Sequence, residues 1–231
     1  MTTPAWLAPL TGHLSDPSLT RTVVRDRPGK GGRPAAVLML LSGDEIDHAR
    51  VVLVERAHTL RHHPGQIALP GGAVDPTDAS LAAAALREGQ EETGLDPDRV
   101  SVIGMLPSAH VAVSGFDVSA VIGWRPAADP LGVQDPAEVA QVLVPSVPEL
   151  LDPMHRVTVR HRSGYTGPGF WISDADGDRL LVWGLTAHLL DGVFTLAGWT
   201  REWDRDRVTD VPQRFLRDGR APAGARPEEL H

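Results

Sequence analysis

Residues 87–92 read Arg-Glu-Gly-Gln-Glu-Glu, and Thr93, Gly94 and Leu95 follow. The carboxylates Glu88, Glu91 and Glu92 fall at i, i+3 and i+4, a spacing that only a helix turns into one shared face. Three such groups crowded together repel one another in water, and a hard multivalent cation such as Mg2+ is the partner that makes the arrangement favourable. An acidic triplet standing alone is ordinarily a solvated helix face, but the flanking residues point elsewhere. Upstream, Leu69-Pro70-Gly71-Gly72 is a turn whose two glycines let the backbone bend tightly and approach a ligand or a cation through its carbonyls, with Gly72 the candidate. Asp75, Pro76, Thr77 and Asp78 can start a helix, residues 81–86 are small and apolar, and Gly94 closes the helix by its freedom to adopt positive φ.

The glycine turn, Asp78 six residues after Gly72, and the Arg87-Glu88, Glu91-Glu92 and Gly94-Leu95 pairs together resemble a Nudix box. Asp78 stands where the first Glu is usual, eight residues rather than seven separate it from Arg87, and Gly89 replaces an aliphatic residue. Inside a helix that glycine costs roughly 1 kcal/mol relative to Ala. Just before the box, residues 53–72 read LVERAHTLRHHPGQIALPGG. This segment resembles the signature of the coenzyme A pyrophosphatase branch of Nudix hydrolases, with its Arg-small pair, basic stretch with His, Gly-Gln and Pro-Gly-Gly turn. The inserted residue and the Asp at position 78 are habits of the same branch. Trp183-Gly184-Leu185-Thr186-Ala187 resembles the tryptophan-glycine helix start found later in it.

The resemblance implies an α/β/α sandwich with a mixed sheet over residues 33–200; periodicity alone supports an α/β or α+β domain. It also implies hydrolysis of the pyrophosphate bond of coenzyme A or its derivatives to 3′,5′-ADP and 4′-phosphopantetheine, with Mg2+ or Mn2+ as cofactor; the alternatives are a Nudix hydrolase for another nucleoside diphosphate-X such as ADP-ribose and a noncatalytic ligand-binding module of the same fold. Divalent cations suit that reaction because they acidify water and neutralise charge building on phosphoryl oxygens. By position in the box, Glu88 and Glu92 are the expected metal ligands, Glu91 a ligand or a general base, and Arg87 the guanidinium that orients a carboxylate. Glu138, in Asp-Pro-Ala-Glu-Val, is the candidate for a base supplied by a later loop. Arg56, Arg61 and His63 are the candidates for the substrate's phosphates, including the 3′-phosphate that distinguishes coenzyme A from other adenine dinucleotides. Trp171, Trp183 and Trp199 are candidates for stacking on adenine, although tryptophans more commonly fill cores; His110 and His188 read as structural. Ser114 lies outside a Gly-x-Ser-x-Gly frame, which argues against a serine hydrolase.

Composition is consistent with this reading. The 231 residues suit one domain with a sizeable core. A formal charge of -8 and a pI near 5.6 argue against a general nucleic-acid binder. The absence of cysteine excludes disulfides, Cys-ligated zinc and a thiol nucleophile. No apolar run approaches the roughly 20 residues that span a bilayer, so a cytoplasmic protein is expected, with no membrane partner. Homodimers are common among similar proteins.

Along the chain, a short amphipathic helix is expected over 6–14 and a lead-in loop over 28–34, closing an N-terminal segment of residues 1–32. Strands are expected over 35–41, 51–55, 100–106, 118–124, 156–162 and 170–173. Residues 139–151, broken by Pro145 and Pro148, suggest a strand edge and then a short helix. A turn is expected over 174–178 and an apolar helix over 180–196. Residues 201–231 are rich in charge, Pro and Gly, the composition of a mobile tail.

Overall fold

A computed structural model describes residues 2–126 and 130–212. The strands in chain order are β1 (Arg33–Ser42), β2 (Arg50–Val51), β3 (Leu53–Arg56), β4 (Ile67–Ala68), β5 (Gly71–Ala73), β6 (Ser101–Met105), β7 (Ala109–Val111), β8 (Phe116–Arg125), β9 (Val139–Leu143), β10 (Arg156–Arg160), β11 (Thr166–Ser173), β12 (Arg179–Val182) and β13 (Val208–Asp210). The helices are α1 (Ala8–Leu14), α2 (Pro17–Val23), α3 (Leu81–Thr93), α4 (Val147–Leu151) and α5 (Gly184–Leu196).

β1 has no polar alternation from Ala35 to Leu41 because both its faces are covered. Ala36, Leu38 and Leu40 pack with Ala84, Ala85, Leu95 and Val121 beneath α3. Met39 and Leu41 turn the other way, into a larger core with Ile122, Trp124, Phe170, Val182, Leu190 and Phe194. The central sheet runs β2-β1-β8-β6, with β5 added to β1 and β7 to β8; β1 and β8 are parallel and their other pairings antiparallel. Across the larger core lie α1, α2, α5 and a second mixed sheet, β12-β11-β10-β13. A third sheet, β4-β3-β9, carries the chain from the core toward the box. The fold is α+β, with a mixed sheet between helical layers.

Three expectations change. Residues 180–182 belong to strand β12, and α5 starts only after Trp183. The acidic stretch Asp75–Asp78 forms a turn of its own, with Asp78 N–H donating to Asp75 O at 2.9 Å, while Ser80 caps α3 by accepting from Ala83 N–H at 3.1 Å. Residues 201–212, expected to be mobile, hold β13 in parallel register with β10 and bury Trp203 and Val211. The rest of that expected tail, residues 213–231, lies outside the described residues. Among the described residues no helix is long and apolar enough to cross a membrane.

Candidate active site

β5 pairs antiparallel with β1, placing Gly72 opposite Ala36, and α3 lies across both strands. Gly71 N–H donates to Glu92 Oε2 at 3.0 Å. A Cβ on Gly72 would stand 2.7 Å from the carboxyl carbon and both oxygens of Glu88. The glycine turn therefore approaches the helix carboxylates themselves, through one backbone donor and one missing side chain.

Arg87 organises the next layer. Its Nε and Nη2 donate to the two oxygens of Asp78, each at 3.1 Å, a fork-to-fork pair that a lysine cannot make. Nη1 reaches Glu91 Oε2 at 2.8 Å, and Nη2 also reaches Glu88 Oε1 at 3.0 Å and Ala73 O at 3.3 Å. Three carboxylates and a β5 carbonyl thus share one guanidinium, which holds the Asp78 carboxyl below its ordinary range. Among the described residues no three acidic or histidine side chains converge closely enough to enclose a cation. The guanidinium draws Glu88 and Glu91 to itself instead.

Glu92 is 5 % exposed. Burial pushes its carboxyl up to about 7, partly offset by the Gly71 N–H and by Arg56, and reinforced by the charges of Glu88 and Glu138. Burial also raises Glu88, against Arg87, and Glu91 and Glu138 add to the rise. Of the two candidates from outside the box, the charge of Arg56 is felt at Glu92 and that of Glu138, an exposed residue, at both Glu88 and Glu92. Arg61 is exposed and His63 half-buried in the loop that joins Arg56 to Gln66. That loop is closed at its base by Arg56 N–H donating to Gln66 O and Gly65 N–H to Arg56 O, each at 3.0 Å. The other candidates lie elsewhere. Trp199 packs on Trp6 and Phe194. Trp171 and Trp183 pack against Val157, Val159 and Leu181. His188 hydrogen-bonds Val23 O and His110 hydrogen-bonds Asp117, both structural contacts as expected.

Residues 32–166 match the model of the NUDIX domain. The chain belongs to the Nudix family. Curated relatives include proteins named uncharacterized Nudix hydrolase NudL, from Cronobacter sakazakii (41 % identical, covering 61 % of this chain and 71 % of the relative) and from Salmonella paratyphi B (42 % identical, with the same coverage). Among solved structures, the chain has a similarity of TM-score 0.44 to a Nudix hydrolase of M. smegmatis, RenU, at 26 % identity over 54 % of this chain and 76 % of that one.

Nudix hydrolases generally use divalent metal ions, and the donors here fit one in chemistry, while among the described residues they do not close into a group of three around a cation. All the donors are oxygens, as a hard cation requires. Burial and like charge disfavour the anions of Glu88 and Glu92 and are only partly offset by Arg87 at Glu88 and by the Gly71 N–H and Arg56 at Glu92, so a cation would relieve the remainder. The missing Cβ at Gly72 leaves backbone and carboxylate side by side. Asp78, which stands where the Nudix box usually has its first Glu, is the bidentate anchor of Arg87. Its signal was the box position itself. Glu55 and Gln141, whose side chains meet at 2.6 Å beneath the Arg56 loop, left no signal in the sequence.

Proposed function

We propose that this Nudix hydrolase cleaves the pyrophosphate bond of coenzyme A or its derivatives, releasing 3′,5′-ADP and 4′-phosphopantetheine. The observation that supports the reading is the position of the basic loop. Arg56 lies within electrostatic reach of Glu92, and the loop it opens, carrying Arg61 and His63, returns through Gly65 and Gln66 to the strand before the Pro-Gly-Gly turn. Anionic substrate held by that loop would lie beside the carboxylate helix, with bidentate arginine contacts suited to its phosphates.

Glu88 and Glu92, with the carbonyl of Gly72 and with Glu91 as a further donor, would hold Mg2+ or Mn2+. Such a cation supplies neutralisation of the phosphoryl oxygens and acidification of the attacking water. Water adds to one phosphorus as the bridging P–O bond breaks, and the leaving phosphate departs with the bonding electrons. The water's proton passes to a carboxylate base, Glu91 or Glu138. Arg87 holds Glu88 and Glu91 in orientation from its anchor on Asp78.

The test is product analysis of the purified chain with Mg2+ or Mn2+ and, separately, coenzyme A, dephospho-coenzyme A, ADP-ribose, NADH and diadenosine polyphosphates. Release of 3′,5′-ADP from coenzyme A, abolished by Glu92→Gln, is the expected result. Preferential cleavage of another substrate in the panel would keep the chemistry and discard coenzyme A. Metal binding without turnover of any substrate would leave a ligand-binding module.

A further inference from the structure

We infer that Glu55 is a positioning residue for this site, bracing both the basic loop and the Glu138 segment from the far side of β3. The inference rests on the assignment of those two segments to substrate and water. Neighbours on a strand point to opposite faces, and Leu53, two residues before Glu55, packs into the larger core and not into the one beneath α3, so Glu55 shares the face turned away from the carboxylate helix and Arg56 takes the other. At 7 % exposure its carboxylate is costly to bury unless it is hydrogen-bonded. It meets two partners, one from each segment that the proposed reaction uses.

The first partner is Gln141, whose Nε2 donates to Glu55 Oε2 at 2.6 Å. This bond sits at an irregularity in the β3–β9 ladder, where Glu55 pairs with Gln141 and Arg56 with Val139, leaving Ala140 without an opposite number. Such bulges bend a strand and redirect the side chains beside them. Glu138 lies two residues before Ala140, and its carbonyl accepts from Ala57 N–H at 2.8 Å. Glu55 therefore pins the register from which Glu138 is aimed.

The second partner is His58, whose Nε2 lies 3.4 Å from Glu55 Oε1. The same imidazole lies against the far end of the loop: a Cβ on Gly65, which has a φ of +66°, would stand 2.8 Å from His58 Nδ1. The start and the end of the loop carrying Arg61 and His63 thus meet on an exposed ring that lies beside one buried carboxylate.

The experiment compares the full-length wild type, Glu55→Gln, and the exchanged pair Glu55→Gln with Gln141→Glu. Turnover of coenzyme A with Mg2+ is measured together with amide hydrogen exchange of residues 57–66 and 135–141. Glu55→Gln is expected to lower kcat and raise KM, reducing kcat/KM roughly tenfold, the scale of a small displacement in a site. Exchange should quicken in those two segments and not in β1 or α3. The exchanged pair rebuilds the carboxylate–amide bond in reverse, so it should restore kcat and protect 135–141 again, while the loop 57–66, deprived of a carboxylate on His58, stays loose and KM stays raised. Wild-type kinetics and exchange in Glu55→Gln would overturn the inference. So would losses spread over the whole chain that the exchanged pair does not restore. If the wild type does not cleave coenzyme A, the substrate assignment fails alone, and the exchange pattern of the three proteins still decides the role of Glu55.

Discussion

Gly72 and Glu88 are so close that one added methyl group would stand 2.7 Å from the carboxyl carbon and both carboxyl oxygens. The contact joins a strand to the Nudix helix at the point where a cation is expected. Gly72→Ala should therefore act on function more than on folding. Glu88 is a flexible side chain at the edge of the core and can swing away at little cost, but the carboxylate then leaves the backbone it must share a ligand with. Metal-dependent turnover is expected to fall at least about 100-fold, the effect of an ångström-scale misplacement, while the free energy of unfolding measured in urea changes by less than about 1 kcal/mol. Undiminished turnover would show that Glu88 does not act beside Gly72.

Arg87→Lys keeps the charge and loses the fork. A lysine ammonium cannot face both oxygens of Asp78 and still reach Glu88 and Glu91. Orienting partners of this kind typically cost 10–100-fold in metal affinity or activity, roughly, when altered. The expected result is a fall of about that size in activity with a weaker apparent affinity for Mg2+, read by titrating the cation. Asp78→Asn should produce a milder form of the same defect, because the anchor is lost while the guanidinium remains.

The end of the box helix was legible in the sequence because its information is local: Gly94 ends it at a φ of 69°, and Glu88, Glu91 and Glu92 obey helical spacing; its start was not, since Ser80 caps it and the acidic stretch Asp75–Asp78 folds as a separate turn. The glycine turn was legible as a close approach, but what it approaches depends on β5 lying beneath α3, which is a tertiary fact. Residues 180–182 read as helix in the sequence because a short apolar run has no period that separates a buried strand from a buried helix. Here Leu180, Leu181 and Val182 are all buried in β12, and the switch comes at Trp183. Residues 201–212 carry the charge of a tail. Their structure rests on a partner some fifty residues earlier, since Thr158, Val159 and Arg160 pair with Val208, Thr209 and Asp210, and nothing in the local composition announces that pairing.

Glu92 makes stability depend on pH in a definite direction. Its folded-state carboxyl titrates at about 7, above the ordinary 4.5, so the metal-free folded protein holds a proton that the unfolded chain releases. This contribution is fully present below 4.5 and is lost as pH rises to about 7. At its upper bound the displacement is worth roughly 3 kcal/mol. Denaturation of metal-free wild type and Glu92→Gln across this range should show the wild type losing stability with rising pH relative to the mutant. Mg2+ should then restore stability above neutrality in the wild type alone. A constant difference between the two proteins would mean that Glu92 ionises normally.

Arg61 offers the test of how the basic loop reads its substrate. It is exposed, so its removal should not disturb the core. If it contacts the 3′-phosphate, Arg61→Ala will raise KM for coenzyme A by about tenfold, the loss of one charge-assisted contact, and will leave dephospho-coenzyme A nearly unaffected. Equal effects on both substrates would place Arg61 on the pyrophosphate or off the substrate altogether.

Gly89 stands where the Nudix pattern usually has an aliphatic residue, and the packing explains the exchange. A Cβ there would lie 2.6 Å from Leu95 Cδ2 and 3.0 Å from Leu38 Cδ2, both on side chains buried between α3 and β1. Gly89→Ala gains about 1 kcal/mol of helix propensity and forces an extra carbon into a filled space, at a cost of about 1–3 kcal/mol. The two leucines are enclosed and cannot swing out to solvent, so the packing cost should prevail and the variant should be less stable by about 1 kcal/mol in urea. Because the same displacement lifts Glu88 and Glu92 off the glycine turn, turnover per folded molecule should fall as well. A gain in stability would instead mean that Leu38 and Leu95 repack, and that the helix sits on β1 with more freedom than this close contact indicates.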